Sequence, residues 1–377
     1  MTVSDLPDPI FIARPAAFNR LATSLLREPV VAVDTESNSL YAYQEQVCLI
    51  QFSTPQKDFL VDPLSLKDLS PLAPVFRSPK IEKIFHAAEY DLICLKRDFG
   101  FEFTNIFDTM IAARILGYEA VGLGSMLTAE FGVQVDKRHQ RANWGRRPLP
   151  SHLLSYAQLD THYLILLRDR LHTSLQENDL WTLAGEDFSR LCQVDGRLPE
   201  NNGNECWRIS GAHDLKPQNA AVLQELCRYR DQVARSINRP LFKVIGDKTL
   251  LAIAQVCPNS IKKLQTIPGM SKRQIDRHGE ALLKAVARGQ KAKPIRPPRS
   301  PRPNERFLER LEILRTWRKI TARHMGVKSD VVLPRDLMFT IAERNPQDFD
   351  DLESIMCDVP WRLERFGDQI LETLSHN

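Results

Sequence analysis

The sequence predicts an α/β domain followed by two small all-helical domains. Strand-like apolar runs are confined to about the first 110 of the 377 residues, and two later helical stretches resemble each other across a proline-rich linker. We expect an α/β domain over 1–200, a first helical domain over 211–291, a linker over 292–303 and a second helical domain over 304–377.

The α/β domain opens with strand-forming segments. Runs rich in β-branched and aromatic residues predict strands near 30–34, 47–53, 58–62 and 83–85, and the short links between the first three favour antiparallel pairing. Helical patterns follow, at 87–98, 107–117, 122–132 and, as one long helix, from about 151 to 177. Strands followed by helices indicate a mixed sheet with flanking helices.

The helical part of the chain contains an internal repeat with an offset of about 88 residues. LQELCRYRD at 223–231 corresponds to LEILRTWRK at 311–319, and RHGEALL at 277–283 corresponds to RFGDQIL at 365–371. The segment from Lys291 to Pro303 carries five Lys or Arg and five Pro but no acid. It is predicted to be an extended linker, either a solvated spacer or an added phosphate contact.

Composition excludes several classes of protein. Hydrophobic content of 43% and charged content of 26% are ordinary for a soluble globular protein, and a net charge of +4 is only mildly basic. No apolar run reaches the length of a membrane span, and no secretory signal is visible. The seven scattered cysteines form no C-x-x-C pair. We expect a cytoplasmic monomer with neither a membrane partner nor a nucleotide cofactor. The absence of a Walker motif argues against a helicase.

Two carboxylates mark the end of the first predicted strand. Asp34 and Glu36 follow the apolar run 30–33, and residues two apart on a strand share a face. Like charges so placed repel each other unless a cation lies between them, and hard divalent cations prefer oxygen ligands. The pair is therefore a candidate metal site, with a solvated turn as the alternative.

Two further acids lie on predicted helices. Asp91 falls in the first turns of its helix, where it is either a functional acid or a capping residue. Tyr156 and Asp160 are four apart on a strong helix and so share a face. Their alternatives are a hydrogen bond within the pair and a plain surface location.

These residues together resemble the three-motif signature of DEDD-type 3′→5′ exonucleases with Tyr in the third motif. The order is Asp34-x-Glu36, then Asp91, then Tyr156-x-x-x-Asp160. CLIQ at 48–51, HAAEYD at 86–91, FDT at 107–109 and NWGRRPL at 143–149 are similar to segments of ribonuclease D. The helical repeats resemble its paired helicase-and-RNase-D C-terminal (HRDC) domains, and the resemblance covers nearly the whole chain in order.

The resemblance implies a ribonuclease H-like exonuclease fold that binds two divalent ions, Mg²⁺ or Mn²⁺. The implied metal ligands are Asp34, Glu36, Asp91 and Asp160, and the implied catalytic residues are these four and Tyr156, which would orient the attacking water. The implied reaction releases nucleoside 5′-monophosphates from RNA 3′ ends. Typical substrates of the family are tRNA precursors.

Candidate substrate contacts lie near these motifs. The basic segment 137–147 suits a phosphate backbone through Arg141, Arg146 and Arg147, and Trp144 is a candidate for base stacking; a solvated loop with a packed Trp is the alternative. His86 is a substrate contact or a core histidine.

Two other functions remain open. The acids do not distinguish RNA from DNA, so a DNA exonuclease is one alternative. A catalytically inactive nucleic-acid-binding protein is the other, although the presence of all five signature residues disfavours it.

Overall fold

The computed structural model describes residues 6–196, 204–298 and 304–375. These residues divide into two compact units. The first unit comprises 6–37, 47–196 and 304–375, and the second comprises 38–46 and 204–298. The second predicted helical domain therefore belongs to the same unit as the α/β domain, which the linear order of the chain did not predict. The four domain boundaries stay a prediction.

The first unit is built on a six-stranded sheet with the order β1-β4-β3-β2-β5-β6. Its strands are β1 Ile10–Ile12, β2 Val30–Ser37, β3 Val47–Ser53, β4 Asp58–Val61, β5 Glu82–Phe85 and β6 Ile106–Asp108. The pairs β2–β3 and β3–β4 are antiparallel, as predicted, whereas β1–β4, β2–β5 and β5–β6 are parallel. The prediction of a mixed sheet is confirmed.

Eight helices of the first unit precede its C-terminal segment in the described part of the chain. They are α1 Pro15–Leu25, α2 Ala73–Arg77, α3 Glu89–Phe99, α4 Thr109–Ile115, α5 Leu123–Phe131, α6 Ser151–His162, α7 Leu164–Glu177 and α8 Trp181–Cys192. The predicted long helix over 151–177 is interrupted at Tyr163, which joins α6 to α7. The predicted helix over 107–117 begins only at Thr109, because the residues before it form β6.

The sheet carries apolar side chains on both faces. Val31 and Val33 of β2 pack in one cluster with Leu92 and Leu95 of α3. Ala32, between them, packs on the opposite face with residues of α6 and α7. Because side chains alternate along a strand, Asp34 and Glu36 continue the Ala32 face, while Thr35 continues the face that meets α3. This alternation assigns the strand's two carboxylates to the side of the sheet that α6 covers.

The two helical domains have the same succession of five helices. The second unit contains α9 Pro217–Ser236, α10 Leu241–Val244, α11 Asp247–Val256, α12 Ile261–Gln265 and α13 Lys272–Lys291. The C-terminal segment of the first unit contains α14 Glu305–Met325, α15 Ser329–Val332, α16 Arg335–Arg344, α17 Phe349–Met356 and α18 Pro360–Ser375. Each set encloses its own apolar cluster, which agrees with the predicted duplication.

A buried arginine joins the C-terminal helices to the α/β domain within the first unit. Arg362 of α18 has no exposed surface. Its guanidinium donates to Glu186 Oε2 at 2.8 Å and to Asp187 Oδ2 at 2.9 Å, both on α8, and to the Val331 carbonyl. The backbone N–H of Trp361 also donates to Glu186. The domain is therefore attached by a satisfied internal ion pair as well as by apolar packing.

Within the described ranges, no helix is long and apolar enough to cross a membrane.

Candidate active site

Three of the predicted acids meet in one pocket. Asp34 and Glu36 lie on β2, and Asp160 lies on α6, which packs on the same face of the sheet. A ligand oxygen from each residue lies within 4.8 Å of the other two. All three line a pocket of about 450 Å³ together with Tyr156 and His86. Because α6 packs on the face of β2 that carries Asp34 and Glu36, residues more than 120 positions apart in the chain meet in one pocket.

The carboxylates destabilise one another's charge. Burial, followed by repulsion from Asp91, Asp160 and Glu36, raises the pKa of Asp34 well above its ordinary value. Burial and the same kind of repulsion raise the pKa of Glu36, and burial followed by the charge of Asp91 raises the pKa of Asp160 to about 7. No Lys or Arg is found among the described lining residues. Hard divalent cations prefer oxygen ligands, and here no protein cation among the described lining residues neutralises the carboxylates.

Asp91 approaches from the other face of the sheet. It lies in the first turn of α3, and its Oδ1 accepts a short hydrogen bond from the Thr35 hydroxyl. It does not belong to the group of three ligand carboxylates found in the described residues. Its charge nevertheless contributes to the raised pKa values of Asp34 and Asp160, and burial raises its own pKa to about 7. Thr35 thus links Asp91 to the strand that carries the first two acids.

The turn that leads into α3 is held by another buried acid. Ala87 adopts a left-handed backbone conformation with φ of +64°, which costs a non-glycine residue about 1–2 kcal/mol. Asp108 compensates, because its Oδ2 accepts the Ala88 N–H at 2.6 Å while its Oδ1 caps α4 at the Ile111 N–H, 2.9 Å away. The FDT segment of the sequence therefore holds the turn into α3 and caps α4.

Tyr156 lies one helical turn before Asp160 and faces the same pocket. Burial, and then the charges of Asp160, Glu36 and Asp34, raise the pKa of its phenol, so the hydroxyl is protonated at neutral pH and can donate a hydrogen bond. The Gln140 side chain lines the same pocket, and the ring of His139 packs edge-on against the Tyr156 ring at 5.7 Å. The phenol is therefore held in place beside the carboxylates.

His86 lines the pocket and is also half-buried. Its Nδ1 lies 2.9 Å from the Thr109 hydroxyl, and burial lowers its pKa to about 4. The imidazole is accordingly neutral, so any contact with a substrate is a neutral hydrogen bond.

The structure contradicts two of the predicted substrate contacts. Trp144 is only 1% exposed and packs in an apolar cluster with Leu60 and Tyr156, so its ring cannot stack on a base. Arg147 forms a two-bond ion pair with Asp62 and donates to three carbonyls, including those of Cys48 and Trp144. Its guanidinium holds the loop in place.

Arg141 and Arg146 lie on the same loop with exposed side chains. Both remain candidates for a phosphate contact.

Sequence reasoning missed three residues that support the site: Thr35, Gln140 and Gln51. The amide of Gln51 donates to Asp34 Oδ2 at 3.3 Å. One signal was available for Gln51, because it is a lone polar residue in the otherwise apolar run VCLIQF. Thr35 and Gln140 had no comparable signal.

Comparison with known proteins identifies the domains. Residues 9–176 match the family described as 3′-5′ exonuclease, and residues 219–286 and 307–374 each match the HRDC domain. A ribonuclease D from Nitrobacter hamburgensis is 28% identical over 370 residues, which cover 97% of this chain and 94% of that protein. The chain carries a 3′-5′ exonuclease domain followed by two HRDC domains and is similar to ribonuclease D along nearly its whole length. The resemblance read from the sequence motifs is thereby confirmed.

Two further relatives define how far the similarity extends. The crystal structure of Escherichia coli RNase D has a TM-score of 0.71 at 23% identity and covers 98% of this chain and 99% of that one, which confirms the fold. Protein RRP6-like 2 from Arabidopsis thaliana is 32% identical over 288 residues, 73% of this chain. This chain spans only 33% of the length of that relative.

Proposed function

We propose that this protein is a metal-dependent 3′→5′ exoribonuclease that releases nucleoside 5′-monophosphates from RNA 3′ ends. The observation that carries the proposal is the convergence of Asp34, Glu36 and Asp160 in a pocket whose described lining contains no Lys or Arg, with the Tyr156 phenol beside them. Phosphodiester hydrolysis needs charge stabilisation and an activated water, and this donor set suits both.

The proposed roles follow from the positions of the side chains. Asp34, Glu36 and Asp160 would hold the divalent ions, and analogy with the family gives the number of ions as two. Asp91 would support the site from the Thr35 side. Bound Mg²⁺ or Mn²⁺ supplies Lewis-acid stabilisation of the phosphate and lowers the pKa of a bound water. Tyr156, protonated at neutral pH, donates a hydrogen bond that orients the attacking water.

The proposed substrate is structured RNA with a free 3′ end, and tRNA precursors are the finer proposal. Support comes from relatives: the Escherichia coli protein is described as an exoribonuclease involved in structured RNA processing, and the Nitrobacter protein as ribonuclease D. The exposed Arg141 and Arg146 are proposed to contact the phosphate backbone. A cytoplasmic location and a monomeric state stay predictions from the sequence.

The test uses matched single-stranded RNA and DNA labelled at the 3′ end, each with Mg²⁺, Mn²⁺ or a chelator. We expect labelled mononucleotide from RNA, no product with chelator, and near-total loss of activity in Asp34→Asn. The control is Asp68→Asn, because Asp68 is exposed and caps a turn through Ser70, outside the residues that line the pocket.

Each outcome distinguishes between the candidate functions. Hydrolysis that persists in chelator contradicts the role of the carboxylates as metal ligands. Equal turnover of DNA favours a DNA exonuclease, and RNA binding without hydrolysis at any metal concentration favours an inactive binding protein.

A further inference from the structure

Gln51 breaks the pattern of the strand that carries it. Five of the seven residues of β3 are apolar, yet the side chain at position 51 is a primary amide with no exposed surface. Gln51 is paired directly with Asp34 in the antiparallel register of β3 and β2. Directly opposed residues of an antiparallel pair project from the same face about 4.5–5.5 Å apart, so the amide stands beside the Asp34 carboxylate.

The amide is only half satisfied. Its Nε2 donates to Asp34 Oδ2 at 3.3 Å, whereas its Oε1 is buried and has no hydrogen-bond partner among the described residues. A buried polar atom left without a partner costs about 1–3 kcal/mol, and a leucine at this position would avoid that cost. A departure from apolar packing next to an acid cluster indicates a functional requirement.

The direction of the hydrogen bond suggests what that requirement is. A carboxylate oxygen that accepts an N–H is restricted in its rotation by that hydrogen bond. The amide of Gln51 therefore holds Asp34 in the orientation in which one of its oxygens lies within 4.8 Å of oxygens of Glu36 and Asp160.

We propose that Gln51 is a positioning residue that orients the Asp34 carboxylate toward Glu36 and Asp160, and so raises the affinity of the carboxylates for divalent cations. The inference rests on the proposed function, because it takes these carboxylates as cation ligands. Loss of an outer hydrogen-bond partner of a metal ligand typically weakens metal binding or activity about 10- to 100-fold.

The experiment measures Mn²⁺ binding directly, by titration of the whole chain with detection of free Mn²⁺ by electron paramagnetic resonance. Gln51→Met keeps the length of the side chain and removes the amide, and we expect its Mn²⁺ dissociation constant to rise roughly 10- to 100-fold. In RNA hydrolysis, the half-saturating Mn²⁺ concentration should rise while kcat at saturating Mn²⁺ stays close to that of the wild type. If Gln51 had a purely structural role, its replacement would lower kcat and stability without raising the half-saturating Mn²⁺ concentration.

Gln274→Met is the matched control. Gln274 also donates through Nε2, to the Val244 carbonyl, and its buried Oε1 likewise finds no hydrogen-bond partner in the described part of the chain, but it lies in the second unit. Its Mn²⁺ affinity should equal that of the wild type. Gln51→Leu serves as a second variant if circular dichroism shows that Gln51→Met does not fold.

Two failures can be told apart. If the wild type binds Mn²⁺ and a folded Gln51 variant binds it equally well, the positioning role is overturned and the nuclease proposal stands. If the wild type neither binds Mn²⁺ nor hydrolyses RNA, the proposed function fails first, and the role of Gln51 fails with it.

Discussion

Replacing Arg362 with Met tests how the second HRDC domain is held in the first unit. The guanidinium is fully buried and compensates two acids of α8, Glu186 at 6% exposure and Asp187. Methionine keeps an apolar stem of similar length but removes the guanidinium that contacts both carboxylates. Breaking a buried ion pair from one side typically costs about 3–5 kcal/mol, so we expect a loss of that size in the free energy of unfolding.

The loss should depend on pH. Burial already raises the pKa of Glu186 and Asp187, and Arg362 lowers both, so its removal raises them further. A carboxyl group whose pKa is higher in the folded than in the unfolded protein binds more protons when folded, so stability falls as pH rises. The cost of Arg362→Met should therefore be largest above neutral pH and shrink as the pH falls toward about 5.

Urea unfolding monitored by tryptophan fluorescence measures this effect, because Trp361 donates to Glu186 and both Trp361 and Trp181 pack against the same apolar cluster. Arg190→Met is the control: Arg190 pairs with Asp336 and Asp358, which are 66% and 48% exposed, so about 0–1 kcal/mol is expected. A loss for Arg362→Met no larger than for Arg190→Met would refute the reasoning. A double-mutant cycle with Glu186→Gln should recover part of the loss if the uncompensated charge is its cause.

Three further predictions follow from the structure. Tyr156→Phe should lower kcat about 10²-fold with little change in Mn²⁺ affinity, since it removes a hydroxyl and no ligand; a large loss of Mn²⁺ binding would contradict the orienting role. Trp144→Phe should cost about 1–3 kcal/mol of stability and leave RNA affinity in chelator unchanged, whereas weaker RNA binding at unchanged stability would restore the stacking role. Burial lowers the pKa of Lys83 to about 8 in the folded protein. Above that pH the unfolded chain binds more protons than the folded one, so stability should rise with pH. Lys83→Met should show less of this rise in urea unfolding at pH 8 to 10.

The parts of the site that sequence could predict depend on local periodicity. Alternation along β2 is sufficient to place Asp34 and Glu36 on one face, and the spacing of four on α6 is sufficient to place Tyr156 beside Asp160. Both relations are confirmed by the shared pocket. Apolar runs likewise predicted β2 to β5, whereas the three-residue strands β1 and β6 were missed because so short a segment carries no period.

The rest depends on contacts between residues far apart in the chain. The basic segment 137–147 has the composition of a phosphate-binding loop, yet Arg147 pairs with Asp62, 85 residues away, and Trp144 fills the core. Asp91 joins the site from the opposite face, because α3 packs on the side of Thr35.

The amino-acid order was enough to predict the four acids and the tyrosine as site residues, the duplicated helical domains and the resemblance to ribonuclease D. It did not reveal which side of the sheet each helix covers or which arginines form internal ion pairs. It also did not reveal that Arg362 attaches the C-terminal domain to α8. The reason is physical: periodicity orients a side chain relative to its own strand or helix, whereas burial and pairing depend on which distant surface packs against it.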